Sequence, residues 1–154
     1  MIAIGTKAPD FTLRDQNNKA VTLSSFKGKR VLLSFRPLAW TVVCHDQMRS
    51  LEANHERLDK LNTVALGIGI DSVPSNKAWG ASMEIANTRL LADFWPHGAV
   101  ARSFGVFRDN DGFAERANII VDADGKVVFA KIYPTSQLPD IEEILRFLAG
   151  QTAS

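Results

Sequence analysis

The chain is almost without cysteine: its 154 residues contain one, Cys44. A single cysteine excludes an intramolecular disulfide and the Cys-x-x-Cys pair of dithiol oxidoreductases. No spacing of cysteine and histidine is typical of a zinc site, because such sites use closely spaced pairs of these ligands. We therefore expect no metal and no other cofactor, and any thiol chemistry must depend on Cys44.

Long apolar runs and an excess of one charge are also missing. No apolar stretch approaches the roughly 18 residues that span a bilayer, and the N-terminus lacks the basic segment and apolar core of a signal peptide. Lys and Arg number 18 against 17 Asp and Glu, a net charge of +1, so no global field attracts nucleic acid or a membrane surface. The densest basic group, Lys27, Lys29 and Arg30, is predicted to lie in a solvated loop. We expect a cytoplasmic protein that binds neither nucleic acid nor membrane.

The chain does contain enough apolar material for one hydrophobic core. Its 45% hydrophobic and 23% charged residues are ordinary for a globular protein. The length fits one domain, which we place at residues 1–154.

Hydrophobic periodicity predicts a fold of the α/β class. The predicted strands are residues 10–13, 20–23, 31–35, 63–70, 90–91, 116–122 and 126–133, of which the first two and the last two form hairpins. The predicted helices are residues 46–61, 74–84, 96–104 and 138–149. Strands alternating with helices, followed by a hairpin and a closing helix, give a central mixed β-sheet flanked by helices. This is the thioredoxin-like plan with an N-terminal β-hairpin added.

Cys44 follows the predicted strand 31–35 and comes just before a predicted helix. This arrangement favours a reactive thiol, since the N–H groups of a first helical turn lack partners and the helix dipole adds partial positive charge. The alternative is a buried structural cysteine, which is what most lone cysteines are. The helix-start position and the neighbouring Pro37 and Thr41 favour the reactive interpretation.

Residues 35–44, FRPLAWTVVC, resemble the signature of the peroxiredoxin family, which has a proline, a threonine and the peroxidatic cysteine at this spacing. Residues 8–13 resemble the family's opening, 26–29 its usual turn, and 116–122 its arginine-bearing strand. Residues 90–100, LLADFWPHGAV, are similar to the E-type branch of the alkyl hydroperoxide reductases (AhpC/TSA type), whose members are one-cysteine enzymes. The resemblance covers essentially the whole chain and implies a thiol-dependent peroxidase.

In that chemistry a sulfur attacks one peroxide oxygen in line while the other leaves as water or an alcohol, so Cys44 is predicted to become a sulfenic acid. Complete ionisation of an ordinary thiol gains only about 30-fold at pH 7. Most of the rate must therefore come from stabilising the transition state. We assign that task to Thr41 and Arg116.

Each supporting residue has an alternative role. Thr41 is predicted to place its hydroxyl near sulfur and peroxide, or to serve only as the helix N-cap, with Cys44 as the third helical residue. Arg116 offers a permanent charge that favours the thiolate and donates to a peroxide oxygen. The resemblance alone implies that it lies near Cys44; the alternative is an ion pair with Glu115. Pro37 is predicted to cover the thiolate, or to be an ordinary loop proline.

Three residues depart from the family pattern. Arg36 stands where the family usually has an aromatic residue, and it adds a second cation near the pocket. Trp40 replaces a common phenylalanine. Gln47 occupies the place of a glutamate that in the family helps orient the arginine, and a neutral amide is expected to hold it less strongly. We expect these changes to affect rate and substrate preference rather than reaction type.

None of the three histidines is predicted to be catalytic. His45 is expected to point away from Cys44, because adjacent residues of a helix diverge. His55 is predicted to be packed and partly buried, and His97 to serve its own loop.

The leading hypothesis is a one-cysteine peroxidase that reduces hydrogen peroxide and organic hydroperoxides, with peroxynitrite as a further candidate. Without a second cysteine, the sulfenic acid must be resolved by an external low-molecular-weight thiol, a glutaredoxin-like or thioredoxin-like protein, or both. The E-type resemblance implies mycothiol and a mycoredoxin. The rivals are a peroxide sensor or redox relay, a chaperone-like oligomer, and a thioredoxin-like oxidoreductase, which is disfavoured because Thr41 occupies the first cysteine's place.

The resemblance also implies a homodimer or a higher homo-oligomer. Trp40, Phe94 and Trp95 are candidates for that contact or for the mouth of the pocket. Core packing is the alternative for these three residues.

Overall fold

The computed structural model describes residues 1–151, so residues 152–154 of the predicted domain lie outside the described residues. Its strands are β1 (Thr12–Arg14), β2 (Ala20–Thr22), β3 (Arg30–Phe35), β4 (Thr63–Gly69), β5 (Arg89–Ala92), β6 (Phe107–Arg108), β7 (Phe113–Ala114), β8 (Arg116–Val121) and β9 (Val127–Tyr133). Its α-helices are α1 (Val42–Ala53), α2 (His55–Lys60), α3 (Val73–Ser82), α4 (Ala99–Ser103) and α5 (Ile141–Gln151), with a short 3₁₀ helix at Leu23–Phe26. No helix within this range is both long and apolar enough to cross a membrane.

Seven strands form one mixed sheet in the order β2-β1-β5-β4-β3-β8-β9. The central strands β3, β4 and β5 are parallel, whereas β8 runs antiparallel to β3 and β9 antiparallel to β8. The β1–β2 hairpin joins the sheet beside β5, where Arg14 lies opposite Ala92. The predicted mixed sheet with an added N-terminal hairpin is confirmed.

The sheet separates two apolar clusters. Because successive side chains of a strand point to opposite faces, β3 contributes Val31, Leu33 and Phe35 to one cluster and Leu32 to the other. The first cluster also contains residues of α4 and of the N-terminal hairpin. The second contains Cys44 and residues of α1, α2, α3 and α5. Cys44 therefore lies between a helix and the sheet.

A close approach of α1 to the sheet depends on Gly67 in β4. A Cβ atom at this position would collide with Sδ of Met48, a buried residue of α1. The missing side chain lets the helix that carries Cys44 settle directly on the central strands.

The predicted helix at 46–61 is two helices that meet at Asn54. Asn54 is the C-cap residue of α1, and the Ser50 carbonyl accepts both its backbone N–H at 3.2 Å and its side-chain amide at 2.8 Å. The first of the two helices also begins earlier than predicted, at Val42.

The helices predicted at 96–104 and 138–149 begin later, at Ala99 and Ile141. The buried carboxylate of Asp93 accepts hydrogen bonds from the N–H groups of Val100 and Ala101 at 3.1 and 2.9 Å, which fixes the start of α4. The small ribbon β6–β7 was not predicted, because its two-residue strands are too short for periodicity to detect.

The prediction of a solvated basic loop is wrong for Arg30. Lys27 and Lys29 are exposed, but Arg30 is buried at the start of β3. Its guanidinium donates to the Leu148 carbonyl at 2.8 Å and to the Leu61 carbonyl. Arg30 thus ties the ends of two helical segments to the sheet.

Candidate active site

Cys44 lies in the first turn of α1. Thr41 is the N-cap residue, with extended backbone angles of φ −101° and ψ 154°, so Cys44 is the third helical residue. The N–H groups of this turn have no intrahelical acceptors and contribute partial positive charge. The sulfur combines this polar helix terminus with an apolar surrounding, since Cys44 is 0% exposed.

Arg116 at the start of β8 reaches the sulfur. Its Nη1 lies 3.4 Å from Cys44 Sγ and donates to Gln47 Oε1 at 2.7 Å. Its Nε and Nη2 both donate to the Thr135 carbonyl, at 3.0 and 2.8 Å. The alternative pairing with Glu115 is wrong, because that carboxylate accepts from Arg108 at 2.7 Å. The guanidinium is thus held on two sides with one edge directed at the sulfur.

Gln47 holds Arg116 through an amide whose own orientation is fixed. Its Nε2 donates to Ser34 Oγ at 2.7 Å and to the Phe35 carbonyl at 3.0 Å, which leaves Oε1 to accept from Arg116. A carboxylate here has no proton for the Phe35 carbonyl, so the amide suits this environment. Gln47 therefore orients the arginine despite being neutral.

The Thr41 hydroxyl does not cap the helix. It donates to the Leu38 carbonyl at 2.8 Å, and α1 has no side-chain cap hydrogen bond. The capping alternative is wrong for the hydroxyl, although Thr41 does occupy the N-cap position. Because its proton is engaged with Leu38, the hydroxyl oxygen offers its lone pairs as acceptors beside the helix start. Pro37, at the other end of this loop, is buried.

The loop between Pro37 and Cys44 is strained at Trp40. Its φ of +69° lies in the left-handed region, which costs a non-glycine residue on the order of 1 kcal/mol. The indole N–H donates to Ser75 Oγ at 3.1 Å, and the neighbouring Ala39 N–H donates to Asp71 Oδ2 at 2.8 Å. These bonds hold the loop against the first turn of α3 and the segment that precedes it.

Arg36 lies inside the protein next to this loop. It is 0% exposed, and its Nη2 donates to Asn76 Oδ1 at 2.7 Å. Its guanidinium lies 4.9 Å from the ring centre of Trp79. The structure therefore buries the second cation that the sequence places near the pocket.

The histidines lie away from the sulfur. His45 is exposed and its Nδ1 lies 3.1 Å from Asp46 Oδ1, so it points away from Cys44 as predicted. The prediction of a packed His55 is wrong, because this residue begins α2 and is exposed. His97 contacts the Gly112 carbonyl through Nε2 at 2.6 Å, so it does not serve its own loop as predicted but joins that loop to the turn between β6 and β7.

Three aromatic side chains are exposed. Trp40 is 57%, Phe94 53% and Trp95 80% exposed, so the alternative of core packing is wrong for all three. This leaves the pocket mouth and a contact with a second chain as their predicted roles.

Several contributors to the site were not predicted. Ser34 fixes Gln47, Asn76 holds Arg36, and Thr135 supplies a main-chain carbonyl. A carbonyl has no sequence signal, since every residue carries one. The alternation of Gly67 and Gly69 in an apolar strand is a signal of close packing that was available in the sequence.

Comparisons with known proteins find relatives of similar sequence and fold. A family model described as the AhpC/TSA family matches residues 4–130. Alkyl hydroperoxide reductase E of Mycobacterium tuberculosis is 39% identical over 154 residues, which cover 99% of this chain and 100% of that protein. The putative peroxiredoxin bcp of Haemophilus influenzae is 36% identical over 134 residues, 82% of this chain and 84% of that one. The crystal structure of Enterococcus faecalis AhpC superposes with a TM-score of 0.90 at 27% identity, covering 99% of this chain and 93% of that one.

Proposed function

The chain belongs to the AhpC/TSA family of peroxiredoxins, which are thiol-dependent peroxidases, and on that premise we propose that it reduces hydrogen peroxide and organic hydroperoxides through a sulfenic acid at Cys44. Peroxynitrite is a further candidate oxidant. The observation that carries this proposal is the contact of 3.4 Å between Arg116 Nη1 and Cys44 Sγ. A fixed cation beside the sulfur supports a site built for an anionic nucleophile and an anionic leaving group.

The proposed oxidation is an in-line displacement. The Cys44 thiolate forms a bond to one peroxide oxygen while the O–O bond breaks, and the electron pair of that bond leaves with the second oxygen. The departing alkoxide or hydroxide takes up a proton and is released as an alcohol or water. Sulfur is oxidised by two electrons, the peroxide is reduced by two, and Cys44 is left as a sulfenic acid.

Arg116 and Thr41 fill complementary roles in this step. One edge of the guanidinium is anchored to the Thr135 carbonyl and another to Gln47, so its Nη1 is positioned before the reaction begins. A donor that needs no reorganisation stabilises charge as it develops on the breaking O–O bond. The Thr41 oxygen, whose proton is donated to Leu38, accepts a hydrogen bond from the peroxide O–H and so orients it. Buried Pro37 shields the sulfur from water.

The oxidised sulfur must be resolved by an external thiol. The sulfur of the external thiol attacks the sulfenic acid of Cys44, which releases water and forms a mixed disulfide. A second thiol then attacks the mixed disulfide, which restores the Cys44 thiol and releases the disulfide of the reductant. Since Cys44 is 0% exposed, this attack requires the turn from Trp40 to Cys44 to open. The strain at Trp40 supports such an opening, because it lowers the cost of leaving the closed conformation. The reductant is a low-molecular-weight thiol, a glutaredoxin-like or thioredoxin-like protein, or both.

We also propose a cytoplasmic location and a homodimer or larger homo-oligomer. A lone reactive thiol needs a reducing compartment to be regenerated. Exposed Trp40, Phe94 and Trp95 support a contact with a second copy, because large apolar side chains are enriched in the centres of interfaces. Sedimentation of the reduced protein, compared with a Trp95→Ser variant, tests the oligomer.

The function is tested by peroxide consumption with excess small thiol and limiting protein. Many turnovers per chain, abolished in Cys44→Ser, are expected of a peroxidase. Consumption of one peroxide per chain with every candidate thiol and thiol protein would instead favour a peroxide sensor or redox relay. Peroxide consumption that survives in Cys44→Ser would contradict the assignment altogether.

A further inference from the structure

Arg36 is an unusual residue to find in a protein interior. It is 0% exposed. Its guanidinium donates through Nη2 to Asn76 Oδ1. Among the residues that the structure describes, its Nε and Nη1 find no acceptor. Replacing a buried, imperfectly paired charge with an apolar side chain is often neutral or stabilising. Stability alone therefore does not explain this arginine.

The surrounding residues leave room for the guanidinium. A Cβ atom at Gly69 would lie 2.8 Å from Arg36 Nη1 and 2.9 Å from its Cζ, so the missing side chain in β4 provides the space. On the other side the guanidinium lies over the ring of Trp79 in α3, at 4.9 Å, a contact that stabilises a cation. The site fits an arginine better than a smaller cation.

Arg36 shares its environment with Cys44. Alternate residues of a strand and its extension point to one face, so Leu32, Ser34 and Arg36 lie on one face of the sheet, where Arg36 contacts Asn76 and Trp79 of α3. Ser34 contacts Gln47 on α1, and Leu32, Cys44 and Trp79 belong to one buried cluster. Arg36 therefore approaches the peroxidatic site from the sheet, on the side of α3.

The charge of Arg36 and that of the Cys44 thiolate act on each other. Burial lowers the pKa of Arg36 to about 10, while the negative charges of Asp71 and of the thiolate favour its protonated form. The guanidinium thus remains a cation at neutral pH.

We propose that Arg36 is a second positioning residue of the peroxidatic site, an interior positive charge that stabilises the anionic sulfur of Cys44 from the side opposite to solvent. The inference rests on the proposed role of Cys44 as the reactive thiolate. It adds a cation that acts without touching sulfur or peroxide, where Arg116 acts by direct contact.

The charged and polar groups facing this region come from four elements. Arg116 of β8 and Arg36 after β3 are cationic, and Asp71 before α3 is anionic and half-buried. Gln47 of α1 and Asn76 of α3 are neutral. Arg36, Arg116 and Asp71 together carry one net positive charge, so loss of Arg36 reduces the net charge of these groups to zero.

The decisive measurement is the pH titration of thiolate ultraviolet absorbance on reduced protein, with a Cys44→Ser background subtracted. The single cysteine makes the difference signal specific. Arg36→Phe removes the interior charge and is expected to raise the titration midpoint by about one pH unit. Arg36→Lys keeps the charge and is expected to raise it by less than half as much. Arg57→Met, which removes an exposed arginine paired with Glu142, is expected to leave it unchanged.

Thermal unfolding separates this role from a purely structural one. Arg36→Phe replaces a poorly paired buried cation with the aromatic residue usual in the family, so its melting temperature is expected to stay equal or rise while the thiolate becomes less favoured. If Arg36→Phe does not fold, Asp71→Asn is the substitute, since removing that negative charge is expected to lower the midpoint.

The inference is overturned if Arg36→Phe leaves the midpoint unchanged, if Arg36→Lys raises it as much as Arg36→Phe does, or if Asp71→Asn raises it. The titration uses no peroxide, so its result stands apart from the peroxidase assay. If Arg36→Phe raises the titration midpoint as expected but the unsubstituted protein does not turn over peroxide, the proposed function is refuted and the role of Arg36 stands.

Discussion

Replacing Arg116 with methionine tests the electrostatic part of the proposed mechanism. In the structure Nη1 lies 3.4 Å from the sulfur, and at an effective dielectric constant of about 20 two unit charges at this separation interact by about 5 kcal/mol. The thiolate is already negative before the peroxide reacts, so part of this interaction is common to the ground and transition states. Only the remainder affects the rate of the chemical step.

The loss of oxidation rate expected for Arg116→Met has two parts, which differ in their pH dependence. Reduced ionisation of the thiol lowers the rate by up to about 30-fold at pH 7, and this part recovers at high pH. Loss of a donor to the breaking O–O bond costs about 100-fold, as for other oxyanion donors, and does not recover. We therefore expect Arg116→Met to be oxidised up to about 3,000-fold more slowly at pH 7 and about 100-fold more slowly near pH 10.

The assay is stopped-flow tryptophan fluorescence of the reduced protein mixed with hydrogen peroxide. The chain has three tryptophans, and Trp40 lies on the loop that leads to Cys44, so oxidation is expected to change the signal. Arg57→Met is the matched control, since it removes the same charge from an exposed position. Circular dichroism must show that Arg116→Met is folded, because the substitution leaves the Thr135 carbonyl and Gln47 without their donor.

Two results would refute this reasoning. A loss of less than about threefold at pH 7, well below the effect of one oxyanion donor, would remove Arg116 from the site. Complete recovery near pH 10 would limit its role to ionising the thiol.

Two further substitutions test contacts of the site, and a third tests a buried contact elsewhere in the fold. Thr41→Val removes the hydroxyl acceptor and is expected to slow oxidation about tenfold with an unchanged thiolate titration; an unchanged rate would contradict the role of Thr41. Gln47→Leu releases one edge of Arg116, so oxidation slows, and a double-mutant cycle with Arg116→Met is expected to be non-additive; additive losses would disprove the coupling. Burial alone would raise the pKa of Glu52, but hydrogen bonds from the N–H groups of residues 86–88 lower it to about 2. The ionised Glu52 carboxylate therefore contributes fully to folding stability above its ordinary pKa of 4.5, and this contribution is lost as the pH falls toward 2. In thermal unfolding across this pH range, the melting temperature of Glu52→Gln is expected to fall less steeply with acid than that of the unsubstituted protein. Equal declines in melting temperature would contradict this prediction.

The sequence predicts the framework because the framework is encoded locally. The apolar run in β3 and the turn between β8 and β9 are visible within a few residues of the elements that they define. The end of α1 at Asn54 was missed because buried Leu58 of α2 continues the apolar spacing of Met48 and Leu51 in α1.

The site is predictable only in part, because its contacts join distant segments. Arg116 and Cys44 are 72 residues apart, and no local pattern brings them together; the family resemblance implied that proximity. The burial of Arg36 depends on Asn76, 40 residues away, and on the absence of a side chain at Gly69. An arginine in sequence favours solvent exposure, so its interior position follows from the packed structure alone.

The most direct test of the central claim is the rate at which Cys44 in the reduced protein reacts with hydrogen peroxide. A helix-start thiolate with Arg116 at 3.4 Å is expected to react on the order of 1,000-fold faster than free cysteine under the same conditions. Mass spectrometry should locate one sulfenic acid per chain, at Cys44. A rate equal to that of free cysteine, with Cys44 unmodified after exposure to peroxide, would contradict the account.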